Sequence, residues 1–134
     1  MNKVFFDTSG FVAIFGIDDL WHKKAVDIFE DIKKIKMQIY TSDYVIDETV
    51  TVIMARSGHQ HAVQSIETIF ASKLFQVIHV CPDYFDDAWK LYKKYYDKNF
   101  SFTDVTSFAI MHKLGVKKAF SFDNHFAQTG MELL

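Results

Sequence analysis

Four carboxylates in this chain of 134 residues occupy positions where they could share one reaction site. They are Asp7, Glu48, Asp104 and Asp123. Asp7 directly follows the apolar run Val4–Phe6, and Asp123 directly follows Phe120–Phe122. Glu48 and Asp104 fall in the first or second turn of two segments with helical character. Ligands of open parallel sheets bind beyond the carboxyl ends of the strands, where the flanking helices also begin. We therefore expect the four acids to converge.

Convergent carboxylates indicate a particular chemistry. They repel one another, and this repulsion raises their pKa values unless a cation is bound. The hard cations Mg²⁺ and Mn²⁺ prefer oxygen ligands. One such ion, or a pair, can activate water and stabilise the charge that develops on a phosphoryl group. The four acids therefore predict a Mg²⁺- or Mn²⁺-dependent hydrolase of phosphodiester bonds, and this chemistry requires no histidine base.

Each acid also has an ordinary structural explanation, as a helix cap, a turn residue or a solvated surface group. The strongest of these applies to Asp104, which can complete a capping box with Ser101 at the start of its helix. Asp7 can cap a short helix predicted for residues 11–15. Such roles do not explain why all four acids fall at one predicted edge of a sheet.

Strands and helices alternate along the chain. Strands are predicted at 4–6, 37–40, 75–80 and 117–122, with a short fifth at 131–134. Longer helices are predicted at 21–35, 43–57, 61–70, 82–96 and 103–114. The expected core side of the first of these helices carries Trp21, Ala25, Ile28, Phe29, Ile32 and Ile35. The expected core side of the helix that Pro82 opens carries Phe85, Ala88, Trp89, Tyr92 and Tyr96.

This alternation predicts an α/β fold, a three-layer sandwich around a central parallel sheet of about five strands. Strands 4–6 and 75–80 are apolar enough to be covered on both faces. Residues 1–134 are expected to form one domain. Hydrophobic residues make up 49% of the chain, which is enough for a core without disulfides. The single cysteine, Cys81, is expected to be a small buried residue.

Composition narrows the cellular setting and the partners. No signal peptide and no apolar run of membrane-spanning length are visible, and one cysteine fits a reducing compartment, so a cytoplasmic protein is expected. The net charge is −2 and the pI about 6.3. A broad phosphate-binding surface would be basic, so contact with nucleic acid has to use local patches.

A few basic residues are candidates for such local contacts with RNA. They are Lys23, Lys24, Arg56 and His125. Most other lysines fit solvated helix faces. Tyr92 and Tyr96 interleave with lysines, but core packing explains them better than base stacking. The six histidines lack the spacing of a zinc site with cysteine partners.

Four blocks of sequence, in this order and spacing, resemble the PIN-domain family and, within it, the small toxins of the VapBC type. The blocks are Val4-Phe5-Phe6-Asp7-Thr8-Ser9, Ile46-Asp47-Glu48-Thr49, Phe102-Thr103-Asp104-Val105-Thr106-Ser107-Phe108-Ala109 and Phe120-Ser121-Phe122-Asp123-Asn124-His125-Phe126. The last two, separated by Leu114-Gly115-Val116, are the most specific. The resemblance covers essentially the whole chain.

The resemblance implies a function and a set of roles. The metal-site acids of the family carry over to the four acids named above, and its accessory polar residues carry over to Thr8 and Ser121. The family implies cleavage of single-stranded RNA by water, which leaves a 5′-phosphate and a 3′-hydroxyl. It also implies a homodimer and a cognate antitoxin that blocks the site. The function predicted on this basis is an endoribonuclease, the toxin of a toxin–antitoxin pair.

Other functions remain open at this point. One alternative is a stand-alone RNA-processing nuclease of the PIN type, and another is a catalytically silent PIN module that binds RNA or protein. A signalling receiver domain would carry a late lysine, but Asp123 stands near that position. A phosphatase of the haloacid dehalogenase type would open with D-x-D, whereas this chain has Asp7-Thr8-Ser9.

Overall fold

Five parallel strands form the centre of the fold in a computed structural model that describes residues 2–134. The strands are β1 (Lys3–Phe6), β2 (Gln38–Ser42), β3 (Phe75–Ile78), β4 (Lys118–Phe120) and β5 (Glu132–Leu133). Their order across the sheet is β3-β2-β1-β4-β5, and every pairing is parallel. The predicted α/β sandwich around a parallel sheet is confirmed.

Within residues 2–134, seven helices connect the strands. They are α1 (Thr8–Phe15), α2 (His22–Lys34), α3 (Asp43–Ser57), α4 (His59–Ala71), α5 (Pro82–Lys94), α6 (Phe102–Leu114) and α7 (His125–Gln128). Side chains and backbone mark their ends: Ser42 Oγ accepts a hydrogen bond from Val45 N–H at the start of α3, and Gly115 ends α6 in the left-handed conformation. The short helix α7 was not predicted. No helix within residues 2–134 is long and apolar enough to span a membrane.

The strand order places a crevice next to β1. The chain winds outwards from β1 to β2 and β3, and then returns to β4 on the other side of β1. The backbone N–H of Asp7 continues the β1–β4 pairing with a 3.1 Å hydrogen bond to the Phe120 carbonyl. At such a switch in strand order, neighbouring connections leave in opposite directions and open a binding crevice at the carboxyl edge.

An aromatic core lies directly beneath this crevice. The Phe6 ring contacts the rings of Phe11 and Phe120, with centroids 5.4 and 4.5 Å away. Gly10 lets α1 approach β4 closely, because a Cβ atom there would lie 2.6 Å from the Phe120 ring and 2.7 Å from its carbonyl oxygen. A larger residue at position 10 would push α1, and with it the crevice wall, away from the sheet.

Two predicted helix faces differ from the observed ones. On α2, Ala25 and Ile32 are buried, but Trp21 and Ile35 flank the helix and are 43% and 61% exposed. On α5 only Ala88 of the predicted set is buried. The exposed members of that set are Phe85, Trp89, Tyr92 and Tyr96. The prediction that core packing accounts for Tyr92 and Tyr96 was therefore wrong.

The error on α5 has a physical reason. This helix packs mainly on α6, so it needs only a narrow apolar stripe. That stripe, at spacings of three and four residues, consists of Tyr84, Ala88, Leu91 and Tyr95. Since α5 carries aromatic residues on two neighbouring faces, periodicity selected the wrong one. Two further expectations fail. Cys81 was expected to be buried but is exposed. Strand β3 was expected to be covered on both faces but is only half-buried, because it lies at an edge of the sheet.

Candidate active site

The structure brings the four predicted acids to one cavity of about 270 Å³ at the crevice. Asp7 directly follows β1, Glu48 lies in the second turn of α3, Asp104 lies in the first turn of α6, and Asp123 lies three residues after the end of β4. The other residues that line the cavity are Thr8, Ser9, Val12, Asp19, Trp21, Val52, Arg56 and Phe122. The acids therefore meet because strand ends and helix starts share one edge of the sheet.

Asp7 is the most deeply buried of the four acids, at 3% exposure. Its Oδ2 atom accepts hydrogen bonds from Ser121 Oγ at 3.0 Å and from Ser9 Oγ at 3.1 Å. Among the residues described, Oδ1 has no hydrogen-bond partner although it is buried. The side chain makes no cap hydrogen bond to α1, so capping does not account for the carboxylate at this position.

The surroundings of Asp7 oppose its negative charge. Burial is the main cause, and the nearby Asp104 carboxylate adds to it, so that the pKa of Asp7 rises from 3.8 to about 7. Glu48 contributes in the same direction, while the hydrogen bond from Ser121 and the Thr8 backbone beside the carboxylate oppose the rise in pKa. A cation beside Asp7 would remove this penalty, because it favours the charged form.

Asp104 caps the start of α6 and also lines the cavity. Ser101 Oγ accepts a hydrogen bond from Asp104 N–H at 3.0 Å, and Ser101 N–H donates to Asp104 Oδ2 at 3.1 Å. These two bonds form the capping box that the sequence offered as an alternative. Capping uses Oδ2, and the carboxylate still lines the cavity, so the two explanations are compatible.

His125 links two of the acids. Its Nδ1 atom lies 2.6 Å from Asp104 Oδ2 and 3.3 Å from Asp123 Oδ1, and its backbone N–H donates to Asp123 Oδ1 at 2.9 Å. One ligand atom from each of these residues falls within a group no wider than 4.8 Å. The sequence offered His125 only as a weak RNA contact, because the short helix α7 that positions its ring was not predicted.

Two hydroxyl groups were predicted as accessory to the acids, and a third was missed. Ser121 donates to Asp7 as described, whereas Thr8 Oγ1 is buried and has no partner among the described residues. Ser9, the missed residue, lies 3.0 Å from Ser121 Oγ and accepts from the Phe122 backbone N–H at 2.9 Å. The sequence feature that could have identified Ser9 is its position two residues after Asp7, in the first turn of a helix.

The predicted basic contacts differ in their distance from the cavity. Arg56 lines the cavity and forms a 3.2 Å ion pair with Asp19. Lys23 and Lys24 are exposed on α2 and do not line it. Carboxylates therefore outnumber cations at the cavity wall, and an RNA phosphate would meet repulsion there without a bound cation.

The donor set fits a hard divalent ion. The four acids offer oxygen ligands, as Mg²⁺ and Mn²⁺ require. Buried Asp7 Oδ1 and Thr8 Oγ1 both lack partners within residues 2–134, which is rare for buried polar atoms, and a bound ligand would satisfy them. The raised pKa of Asp7 agrees with a site built to face a positive charge.

Comparisons with known proteins cover nearly the whole chain. The profile of the PIN domain matches residues 4–131. A 23S rRNA-specific endonuclease of Mycobacterium tuberculosis, VapC20, is 34% identical over 127 residues, which cover 95% of this chain and 94% of that protein. The crystal structure of M. tuberculosis VapC20, a sarcin-ricin loop cleaving toxin, superposes with a TM-score of 0.85 at 32% identity and covers 96% of both chains.

A more distant relative shares the fold alone. The DNA-bound VapBC complex of Salmonella typhimurium contains a chain that matches with a TM-score of 0.74 at 9% identity, covering 100% of this chain and 98% of that one. The family profile spans nearly the whole chain, and the four acids line one cavity. This chain belongs to the PIN-domain family.

Proposed function

We propose that this protein is a Mg²⁺- or Mn²⁺-dependent endoribonuclease and that Asp7, Glu48, Asp104 and Asp123 hold the metal. The observation that carries the proposal is Asp7, a buried carboxylate with one oxygen saturated by hydroxyls and the other without a partner among residues 2–134. The ribonuclease activity of the relative in M. tuberculosis supports the same assignment.

The residues of this chain orient the acids before any ligand arrives. When bound, a divalent ion supplies an activated water and a positive charge beside the phosphate. Ser9 and Ser121 hold Asp7 Oδ2, which leaves Oδ1 as the free ligand atom. Ser101 and His125 hold Asp104 Oδ2 from two sides. Fixed acids avoid reorganisation during the reaction, which is the main contribution that a protein makes to such electrostatic catalysis.

Large-subunit ribosomal RNA is the substrate class that we infer. The VapC20 relative is named for cleavage of 23S rRNA, and its identity with this chain extends over 95% of the length. Incubation of the purified protein with total RNA and with ribosomes, followed by mapping of new 5′ ends, tests this inference. Cuts confined to transfer or messenger RNA would contradict the substrate class and leave the nuclease proposal standing.

The toxin role and the antitoxin are part of the proposal. The related crystal structure is of a toxin, and the chain resembles it along nearly its whole length. A small upstream reading frame that encodes a DNA-binding protein would support the assignment. Co-expression of that protein should relieve growth arrest and abolish RNA cleavage. Failure to form a complex would favour the alternative of a stand-alone RNA-processing nuclease.

A homodimer is proposed, with the exposed aromatic face of α5 as its surface. Phe85, Trp89 and Tyr92 surround the ring of Phe102, with centroid distances of 5.2, 6.3 and 5.9 Å. Contiguous exposed aromatic residues are typical of interfaces. Light scattering should give twice the monomer mass, and Trp89→Glu should give the monomer, whereas Lys90→Glu on a neighbouring face should not. A monomeric wild type would contradict the dimer alone.

A cleavage assay tests the nuclease activity and separates it from a catalytically silent module. Labelled RNA is incubated in Mn²⁺ and in EDTA with wild type, Asp7→Asn and the control Asp47→Asn. Asp47 is exposed and adjoins Glu48 on α3, but it does not line the cavity. We expect Asp7→Asn to lower the rate by several orders of magnitude and Asp47→Asn to match wild type. Cleavage in EDTA, or full activity of Asp7→Asn, would refute the proposal.

A further inference from the structure

An aromatic pair forms one lip of the acid cavity. The rings of Trp21 and Phe122 stack face to face, with centroids 5.5 Å apart and planes inclined by only 9°. Both residues line the cavity that contains the acids, and Phe122 directly precedes Asp123. Phe122 is half-buried against the fully buried ring of Phe120, at a centroid distance of 5.7 Å. The pair is therefore fixed to the same strand end that positions Asp123.

Trp21 keeps much of its apolar surface in water, since it is 43% exposed. Its backbone is nevertheless held, because Trp21 N–H donates to Asp19 Oδ1 at 2.9 Å. Asp19 is in turn paired with Arg56 across the cavity mouth at 3.2 Å. The indole is thus a positioned and partly exposed ring beside the acids rather than a residue that the core requires.

A cation accompanies the exposed ring. Lys24 Nζ lies 5.5 Å from the Trp21 ring centroid, one turn further along α2. Its neighbour Lys23 is also exposed, and no contact of that side chain with an aromatic ring is found within residues 2–134. An aromatic face with an adjacent mobile cation is the usual combination for single-stranded nucleic acid, in which bases stack and phosphates pair with cations.

We propose that Trp21 is a stacking platform for one unpaired base next to the phosphate held at the acids, and that Lys24 contacts a phosphate of the same strand. The inference rests on the proposed function and adds the part of the substrate that the acids do not touch. A base inside a duplex already stacks on its neighbours, so Trp21 can take it only from a single strand or a loop. The platform therefore selects unpaired RNA.

A measurement of RNA binding under conditions without cleavage tests the stacking platform separately from catalysis. The probe is a fluorescein-labelled single-stranded RNA of twelve mixed nucleotides in Ca²⁺, recovered intact on a gel after each titration. Trp21→Leu should weaken binding by about fivefold to a hundredfold, as expected for loss of one base–aromatic stack. Trp21→Phe should stay near wild type. Leu20→Ala, a matched change of an exposed apolar residue on the same loop, should also bind normally.

The cation has its own matched pair of variants. Lys24→Gln should lower the slope of log affinity against log salt by about 0.7, the value for one contact with a single strand. Lys34→Gln, at the exposed C-terminal end of α2, should leave the slope nearly unchanged. Equal slopes in the two variants would overturn the role of Lys24.

A second measurement does not depend on removing Trp21. The chain has two tryptophans, so Trp21 is the only one left in Trp89→Phe. Addition of the probe RNA should quench its fluorescence in proportion to binding. Bound RNA with unchanged emission would overturn the platform even if Trp21→Leu failed to fold.

The outcomes also separate this inference from the proposed function. A wild type that neither binds nor cleaves RNA contradicts both. A wild type that cleaves RNA, with Trp21→Leu binding the probe equally well, contradicts the platform alone. Trp21 would then belong with the exposed Ile17 and Leu20 to a surface for protein contact. Weakened binding in Trp21→Leu together with normal Mn²⁺ binding supports the platform.

Discussion

Asp7 and Asp104 are both buried acids at the start of a helix, yet their surroundings differ. Asp104 Oδ2 accepts a hydrogen bond from Ser101 N–H and lies 2.6 Å from His125 Nδ1, so this oxygen has partners within the fold. Asp7 makes no cap bond, and its Oδ1 lacks a partner among residues 2–134. Asp104 is thus tied to its own helix and to α7, whereas one oxygen of Asp7 is left without a contact of this kind. The same residue type at the same kind of position is thus satisfied by hydrogen bonds in one place and left partly without partners in the other.

The largest expected effect concerns the metal-free protein and Asp7. A pKa raised from 3.8 to about 7 means that the folded state binds a proton more tightly than the unfolded state. Protonation of Asp7 therefore contributes its full share to the free energy of unfolding below pH 3.8, and this contribution is lost as the pH rises through about 7. In EDTA, the free energy of unfolding should therefore fall over this range, by on the order of a few kcal/mol.

Asp7→Asn should remove most of this pH dependence, since the amide carries no charge to desolvate. Urea unfolding in EDTA at several pH values measures the effect, and Asp47→Asn provides the control. At pH 8 the Asp7 variant should be more stable than wild type, as is common when a strained functional group is replaced. A variant that retains the slope of wild type would show that Asp7 is not the group responsible.

The next effect concerns the positioning of Asp104 and Asp123. His125→Ala removes the ring between these acids while leaving the backbone bond to Asp123 in place. Loss of a residue that orients metal ligands commonly lowers metal affinity or activity by about tenfold to a hundredfold. Calorimetric titration with Mn²⁺ should show such a weakening. His112→Ala, on the exposed side of α6, should bind Mn²⁺ as wild type does, and equal affinities in both variants would exclude the role of His125.

The smallest effect concerns the cap. Ser101→Ala removes the side-chain acceptor of the capping box and should lower the free energy of unfolding by about 1 kcal/mol. The loss should be similar in EDTA and in Mn²⁺, because the cap acts on the folded helix whether or not a metal is present. Thermal unfolding in both conditions measures it. A loss seen only in Mn²⁺ would instead tie Ser101 to metal binding.

Much of this architecture followed from the sequence. The strands of a parallel sheet share one carboxyl edge, so the positions of Asp7 and Asp123 after apolar runs were enough to predict that they would meet. The helix starts placed Glu48 and Asp104 at the same edge. Periodicity also located the main helices, whose ends carry recognisable caps such as Gly115.

Other features depended on tertiary contacts that the sequence does not encode locally. The aromatic residues of α5 occupy two faces, and only packing on α6 decides which one is buried. Trp21 follows the apolar period of α2 but lies at its start, beyond the residues that cover the sheet. His125 reaches the acids through α7, a helix of four residues that is too short to give a periodic signal.

Binding of Mn²⁺ to wild type and to Asp7→Asn is the most direct measurement of the central claim, that the buried acid cluster holds a divalent ion. Calorimetry should detect binding to wild type that EDTA reverses. Asp7→Asn should lose at least about tenfold in affinity, since it replaces a charged ligand by a neutral one. Asp47→Asn should bind as tightly as wild type. Equal Mn²⁺ affinity in all three proteins would contradict the claim that Asp7 is a metal ligand.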